Sequence, residues 1–526
     1  MNVLMSENKN GPVVLVSRKI EYSFPFAYAY LAGYLCERNE KVVILFKDKK
    51  PEQVAEEIIK LNPLVVGFGT LYPEIEEIRS YIEILNRKNR NFPVVIGGQM
   101  VTPIPRDAVL FTGADLGVIG EGEIILYNLV RALRDGTDVY AVKGLAVRKE
   151  NEVTLTGPGE FIQDLSKLPE IPFEFFPAEQ WVNIGKYYTD SLYVQPHIRY
   201  EDRVVNVHGS RGCPFKCIFC YHLSKVRYRP ISVMTKEAKE YSEKFNCNLV
   251  NFADELTLTS PGRTKELIEG VKSIGRKISY SLNARIDTFS KLDDDLVKEL
   301  KATGCRKIGF GFESGSDRIL KLIGKNTTSR QILHEVERLE RYKILPVGAF
   351  MIGHISETRE DIEATIRLVK ELVRACPNIQ LAFCISTPFP GSEIFDIVFQ
   401  KGYVKDHDEY FKKYKERKSR WAIRSVWNII VNLTEMSDDE IYRMRWKAYL
   451  SYFGAKMRYL GIRVVVIEGL KSSLGIMNRI FRKLILNQLA KAPLLKKVLV
   501  SPYERAYGLV QQKLEHVALR LRGIDI

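Results

Sequence analysis

From residue 12 to about residue 150, short β-branched runs alternate with longer stretches whose apolar positions recur at helical spacing. PVVLVS, KVVILF, PLVVGFGT, FPVVIGGQ and ADLGVIG read as strands. Between them, FAYAYLAGYLCERN, PEQVAEEIIKLN, EIEEIRSYIEILNRKN and IILYNLVRALR read as helices. This alternation predicts βαβ units and a parallel, doubly wound sheet. Ligands of such sheets gather at the carboxyl ends of the strands. Those ends carry Ser17, Thr70, Leu71, Tyr72, Gly97, Gly98, Gln99, Gly120, Glu121, Gly122 and Glu123. The glycines would let backbone approach a ligand closely, although turn glycines also serve simply to close a turn.

Residues 151–200 lose this periodicity; a hairpin-like VTLTGPG and a proline-rich LPEIPFEFFP mark a linker. The alternation returns from 201 to 395 as VVNVHGS, NLVNFADE, ISYSLNAR, KIGFGFES, LPVGAFMIG and IQLAFCIST. Six strands separated by helices predict a partial (β/α)6 barrel of the TIM type, with its active site at the strand carboxyl ends. Residues 396–526 are helical and basic, and IRVVVIEG is the one stretch there with strand character. The predicted class is α/β: a Rossmann-like domain over 1–150, a linker over 151–200, a barrel over 201–395 and a helical region over 396–526.

Composition fits folded cores: 45% of the 526 residues are hydrophobic and 27% charged. No apolar run is long enough to span a bilayer, and the first residues lack a signal-peptide pattern, so a cytoplasmic location is expected. The net charge of +15 is concentrated late in the chain, since residues 392–526 hold 26 Lys/Arg against 14 Asp/Glu. That asymmetry predicts an anionic partner for the C-terminal region.

The candidate chemistry lies in GCPFKCIFCYH, residues 212–222, directly after the first barrel strand. Cys213, Cys217 and Cys220 stand there in a C-x3-C-x2-C spacing. No second C-x2-C pair follows to complete a structural zinc site, although His208 or His222 would allow a Cys3His site. The first spacing is one residue too long for a redox C-x-x-C pair. Three thiolates also suit an iron–sulfur cubane, and they leave one iron open to another ligand.

The spacing resembles that of radical S-adenosylmethionine (SAM) enzymes. The resemblance implies a [4Fe–4S] cluster on the three cysteines, with SAM on the fourth iron. It covers roughly residues 203–395. Phe219 matches the aromatic position near adenine. Asp254 and Glu255, Asn283 and Arg285, and Glu313 and Ser314 lie at strand ends that resemble the family's SAM contacts. TPFPGS, residues 387–392, resembles the turn that closes many of these barrels. The implied chemistry is reductive cleavage of SAM to a 5′-deoxyadenosyl radical, fed by an external one-electron donor such as flavodoxin or ferredoxin. Tyr221 and His222 are the nearest candidates for a catalytic group.

A doubly wound domain before such a barrel resembles the cobalamin (B12)-binding subfamily, which implies cobalamin at the strand ends of the first domain. All seven histidines lie at or beyond His197, so this domain offers cobalt no imidazole. The subfamily resemblance implies methylation of an unactivated carbon, and the basic amphipathic tail suits a hydrophobic small molecule or lipid as substrate. Radical cyclases such as the anaerobic magnesium-protoporphyrin monomethyl ester cyclase share the same motifs, and cyclisation stays open. An RNA-modifying methylthiotransferase is disfavoured, because its first domain brings three cysteines where this one has only Cys36. A non-catalytic iron–sulfur electron-transfer protein is the remaining alternative. Residues 455–526 carry 14 Lys/Arg against four acids beside apolar positions, a pattern that suits peripheral contact with an anionic membrane. It equally suits a solvated basic face packed on the barrel. No RNA-binding module is recognisable, which disfavours nucleic acid.

Overall fold

The computed structural model describes residues 7–18, 24–71, 74–183, 201–221, 225–417 and 428–463, together with 466, 467, 470, 510, 513 and 517. Their contacts form two units that are discontinuous in sequence. The first comprises Met1–Ala178, Ser210–Arg229 and Ile385–Leu433; the second comprises Glu179–Gly209, Pro230–Cys384 and Thr434–Ile526.

The first unit is built on a sheet of seven strands: β1 (Val13–Ser17), β2 (Val42–Phe46), β3 (Val65–Gly69), β4 (Val94–Gly97), β5 (Leu116–Val118), β6 (Leu145–Lys149) and β7 (Glu152–Leu155). Their order is β2-β1-β3-β4-β5-β6-β7. The five strands expected from the sequence run parallel. VTLTGPG supplies β7, which forms an antiparallel hairpin with β6 and carries the sheet past residue 150. Continuous apolar runs are needed because both faces are covered. Val14, Val16, Val66, Phe68, Val94 and Ile96 pack on one side. Val13, Leu15, Val65, Val95, Leu116 and Val118 pack on the other. At the amino end of β4, Arg90 grips Asp115 with two hydrogen bonds of 2.6 and 3.0 Å, and Asp115 also accepts from the Val94 amide.

The chain leaves β1 for β2 on one side and returns to β3 on the other. This reversal is the topological switch point at which doubly wound sheets bind ligands. Tyr28 stitches it: its hydroxyl donates to Val16 O (2.8 Å) and accepts from the Gly69 amide (2.6 Å). A Cβ on Gly69 would stand 2.8 Å from that hydroxyl, so glycine is required there.

Strand β8 (Val204–Val207) opens the second unit's sheet. A two-stranded antiparallel ribbon in the first unit, β9 (Ser210–Arg211) and β10 (Arg227–Tyr228), frames the cysteine loop. The sheet continues with β11 (Leu249–Phe252), β12 (Ser279–Ala284), β13 (Cys305–Glu313), β14 (Leu345–Ile352) and β15 (Gln380–Ile385). Its order, β15-β14-β13-β12-β11-β8, is sequential, and β8 through β14 are parallel. These are the six strands read from the sequence.

An aromatic ladder runs under this sheet: Phe310, Phe312, Phe350 and Phe383 follow one another with ring centroids 5.6–5.8 Å apart. Gly348 makes room for it, since a Cβ there would lie 2.1 Å from the Phe312 ring. The ladder ends on Tyr449 and Tyr452 of the helix Asp438–Leu460. Arg445 and Tyr452 tie that helix down by donating to Phe383 O and Ile379 O.

The IRVVVIEG stretch departs from expectation. Its described residues Ile462, Arg463, Val466 and Ile467 are helical, not extended. β-branched residues favour a strand only beside another strand, whereas a helix satisfies its own backbone groups. Most of 455–526, and residues 184–200 of the linker, lie outside the described residues. Among the described residues, no helix is long and apolar enough to cross a membrane.

Candidate functional site

The cysteine loop is a short tether between β9 and β10 in which Cys220 N donates to Cys217 O (3.0 Å), closing a turn. Cys217 is buried, Cys213 and Cys220 are half-buried, and none is in a disulfide. Partly accessible thiols on one loop fit a metal cluster. A single zinc ion would draw its ligands to within about 2.3 Å of one point. Among the described residues no three His, Cys, Asp or Glu side chains converge in that way. By contrast, burial pushes the Cys247 and Cys305 thiols up to about 12, which keeps them protonated packing groups.

Both ends of the loop are anchored to one turn of the first sheet. Arg211 donates to Glu121 (2.5 Å) and to Glu123 (2.6 Å), while Arg227 pairs with the other oxygen of Glu121. Burial works against the Arg211 charge, but Glu123 and Glu121 outweigh it and hold the guanidinium above its ordinary pKa. Glu121 and Glu123 flank the start of the helix Gly122–Asp135, where the helix dipole favours negative charge. Their carboxylates are thus engaged by arginines, and backbone is what this turn offers a ligand. After the loop, Tyr221 packs on Gly391 of the TPFPGS turn, and burial lifts its phenol to about 12.

The remaining strand ends of the first sheet are backbone-rich. Thr70 donates from both its amide and its hydroxyl to Gly97 O, at 2.6 and 2.8 Å. Gly98 (φ 103°) and Gly120 (φ 95°) have left-handed backbone, and nothing lies within 4 Å of where a Gly120 Cβ would stand. Thr102 receives the Gly120 amide. This glycine-lined edge fits the approach of a flat macrocycle. Ser17 is buried, its hydroxyl bonded to Arg18 O; Leu71 is half-buried and Gln99 exposed. Tyr72 and His222 lie outside the described residues.

In the second unit, Asn283 donates to Asp254 O (3.0 Å), and Asp254 accepts the Gly209 amide (2.6 Å). These contacts join the carboxyl ends of β8, β11 and β12. Glu255 is exposed. Arg285 is held by Asp287 through two 2.8 Å bonds. Glu313, in left-handed backbone at φ 63°, pairs with Lys325 at 3.0 Å. A bulky residue stays in that conformation only when its surroundings demand it. The Ser314 hydroxyl faces inward, receiving the Ser316 amide beside Thr365.

A model of the B12-binding domain matches residues 13–130, and a model of the radical SAM superfamily matches residues 207–369. The chain is a B12-binding radical SAM enzyme. Those domains imply a [4Fe–4S] cluster, SAM and cobalamin as its cofactors, and an external reductant and a small-molecule substrate as its partners. An uncharacterized methyltransferase of Pyrococcus horikoshii is 27% identical over 437 residues, covering 82% of this chain and 87% of the relative. The anaerobic magnesium-protoporphyrin IX monomethyl ester cyclase of Rubrivivax gelatinosus is 25% identical, covering 73% and 68%. Among solved structures, the radical SAM methyltransferase TsrM of Kitasatospora setae shares the fold at a TM-score of 0.59 and 18% identity, covering 74% of this chain and 78% of that one.

Sequence reasoning about this radical SAM enzyme missed Tyr28, Arg211, Arg227, Lys325, His354 and Glu357. His354 and Glu357 lie just beyond β14, where burial lowers the imidazole to about 4 and raises the carboxyl to about 8. Their position after LPVGAFMI was the available signal, because barrel strand ends carry function.

Proposed function

We propose that this enzyme transfers a methyl group to an unactivated carbon of a hydrophobic small molecule held over the inner face of the second unit's sheet. The observation that carries this reading is the anchoring of the cysteine loop. Both of its ends are fixed by Glu121 and Glu123, in the turn after β5 of the B12-binding domain. The seats proposed for the cluster and the corrin therefore belong to one mechanical piece, as expected if the two cofactors work on one substrate. When bound, the cluster and SAM supply hydrogen-abstracting radical chemistry, and cobalamin supplies a transferable methyl group.

In this reading Cys213, Cys217 and Cys220 hold the cluster. Asn283 and Glu313 orient SAM, with Lys325 neutralising Glu313. The backbone at Thr70, Gly98 and Gly120 admits the corrin edge. The radical needs shielding from water, which the buried strand ends supply. The electron donor would be a small protein such as flavodoxin or ferredoxin.

Anaerobic reconstitution with iron, sulfide and cobalamin, followed by SAM and reductant, tests the assignment. Methyl transfer gives 5′-deoxyadenosine together with S-adenosylhomocysteine. The former alone, with substrate consumed, would shift the reading to ring closure, the reaction named for the 25% identical cyclase. Cys217→Ala should abolish cluster absorbance and both products. Retention of iron and SAM turnover in that variant would defeat it.

Peripheral membrane contact of the C-terminal region is part of the same proposal. On the helix Asp438–Leu460, Trp446, Leu450, Phe453 and Met457 form an exposed stripe at helical spacing. Flotation of the full chain with anionic liposomes, unchanged by deletion of residues 464–526, would remove the tail from that role.

A further inference from the structure

Strand β13 turns Ile308, Phe310 and Phe312 toward the helices and aromatic ladder, and Lys307, Gly309 and Gly311 toward the inner face of the sheet. Across that face, Asn206, Asn251, Ser281 and Lys307 stand in one row by register. The first three are mutually satisfied: Asn251 donates to Asn206 (3.1 Å) and Ser281 donates to Asn251 (2.6 Å). The Lys307 ammonium has no hydrogen bond or ion pair among the described residues, although the Lys307 carbonyl accepts from Cys305 Sγ. Its neighbour along the strand shows where the ammonium reaches. A Cβ on Gly309 would lie 3.2 Å from Lys307 Nζ and 2.6 Å from Asn283 Oδ1, so the ammonium rises beside Asn283, over a glycine that leaves it room. Lys325, over Gly311 on the same strand, has its carboxylate in Glu313. Lys307 has none.

Burial pulls the Lys307 pKa down to about 8. Lys307 is half-buried; a cation partly withdrawn from water without a counter-charge is costly, and the cost is relieved by an arriving anion. The next strand differs in kind. On β14 the inward-facing Leu345, Val347, Ala349 and Met351 are apolar and each only half-buried, whereas the residues between them are buried. Among the described residues, one half of the inner face is thus polar, with the Lys307 ammonium unmatched, and the adjoining half is apolar and half-exposed.

We propose that this face binds an amphipathic acid, its carboxylate or phosphate on Lys307 and its apolar body along Val347, Ala349 and Met351. This rests on the reading above that substrate is held over this sheet, and it specifies the substrate's class.

The test is calorimetric titration of the anaerobically reconstituted full chain with decanoate and decyl phosphate below their micelle concentrations. Decanol, decyltrimethylammonium, acetate and inorganic phosphate serve as comparisons. A single saturable site is expected for one or both acids, and the tighter of the two identifies the head group. Lys307→Met should weaken that binding at least about tenfold while leaving decanol unchanged, and Lys307→Arg should recover part of it. Val347→Glu sets a carboxylate in register with Gly309, under the ammonium, and should weaken the acids with Lys307 intact. Unchanged affinity in Lys307→Met and Val347→Glu overturns the proposal, as does decyltrimethylammonium binding as tightly as decanoate. Loss of SAM affinity in Lys307→Met with amphiphile binding intact also overturns it, assigning the lysine to the SAM carboxylate. Iron content and 5′-deoxyadenosine formation without probe, measured on the same samples, report separately on the cofactor reading.

Discussion

Arg211 Nη2 lies 2.6 Å from Glu123 Oε1, and through this contact the residue two positions before the first cluster cysteine is fixed to the first turn of a helix 88 residues earlier. Both side chains are largely buried, so neither charge has water to fall back on. Breaking such a pair from one side costs about 3–5 kcal/mol, because Glu123 stays buried and unmatched while Glu121 keeps only Arg227. Arg211→Met should therefore lower the melting temperature and broaden the cluster's paramagnetic resonance. Arg211→Lys should recover only part of the loss, since an ammonium cannot span both carboxylates as the guanidinium fork does. An unchanged signal and melting temperature in Arg211→Met would show that the loop is held by other means.

Gly391 has φ 85°, and a Cβ there would lie 2.3 Å from the Tyr221 ring and 2.9 Å from Pro103. Gly391→Ala meets both a backbone penalty and a clash, together about 2–4 kcal/mol. Tyr221 follows Cys220 directly, so the displaced ring should disturb the cluster loop. Iron retention after reconstitution is expected to fall in Gly391→Ala more than in Gly402→Ala, which has a similar φ of 70° but no neighbour within 4 Å. Equal retention in the two variants would argue that the turn does not brace the loop.

Glu357 is buried beyond β14 and accepts the Gly353 and His354 amides at 2.6 and 3.2 Å. Burial is the largest influence on it and raises its pKa to about 8, well above the ordinary carboxyl value. A group raised on folding contributes fully below its unfolded pKa and loses that contribution as pH climbs through the folded value. Glu357→Gln removes the titration while keeping an acceptor. Its stability relative to the parent should rise between about pH 4.5 and 8, by about 1–3 kcal/mol, and then level off. Denaturant midpoints at pH 5 and pH 8.5 would check this.

His407 and Asp107, 3.0 Å apart, join the helix His407–Arg417 to the helix Pro105–Thr112 within the first unit. The hydrogen bond to Asp107 raises the His407 pKa, and the same contact lowers that of Asp107. The histidine's contribution is complete below its unfolded pKa of about 6.5 and fades as pH rises through the higher folded value. The carboxylate's contribution is present above about pH 4 and is lost as pH falls through its lowered folded value. Both side chains are part-exposed, which limits the pair to less than about 1 kcal/mol. His407→Asn should therefore destabilise most near pH 5–6 and be nearly neutral above pH 8.

The sequence by itself determined whatever depends on neighbours in the chain. Buried parallel strands need unbroken apolar runs, so five strands of the first sheet could be read directly; the six of the second, with polar residues on their inner face, were legible from β-rich runs alternating with helical stretches. Three cysteines within eight residues must share a loop whatever the fold around them, and residues 1–150 hold no histidine of their own. Local pattern failed at IRVVVIEG, where strand propensity found no neighbouring strand to pair with among the described residues.

Only the tertiary structure decided how side chains far apart in sequence are spent. Glu121 and Glu123 were expected beside the corrin for their position at a strand end, and register brought two arginines to them from about 90 and 106 residues away. Lys307 on β13 and Lys325, which follows the helix Asp317–Leu322, both reach over glycines of β13, yet Lys325 meets Glu313 and Lys307 meets no anion among the described residues. Whether a charge is matched depends on which groups burial leaves within a few ångströms of it, and that is set by packing rather than by order along the chain.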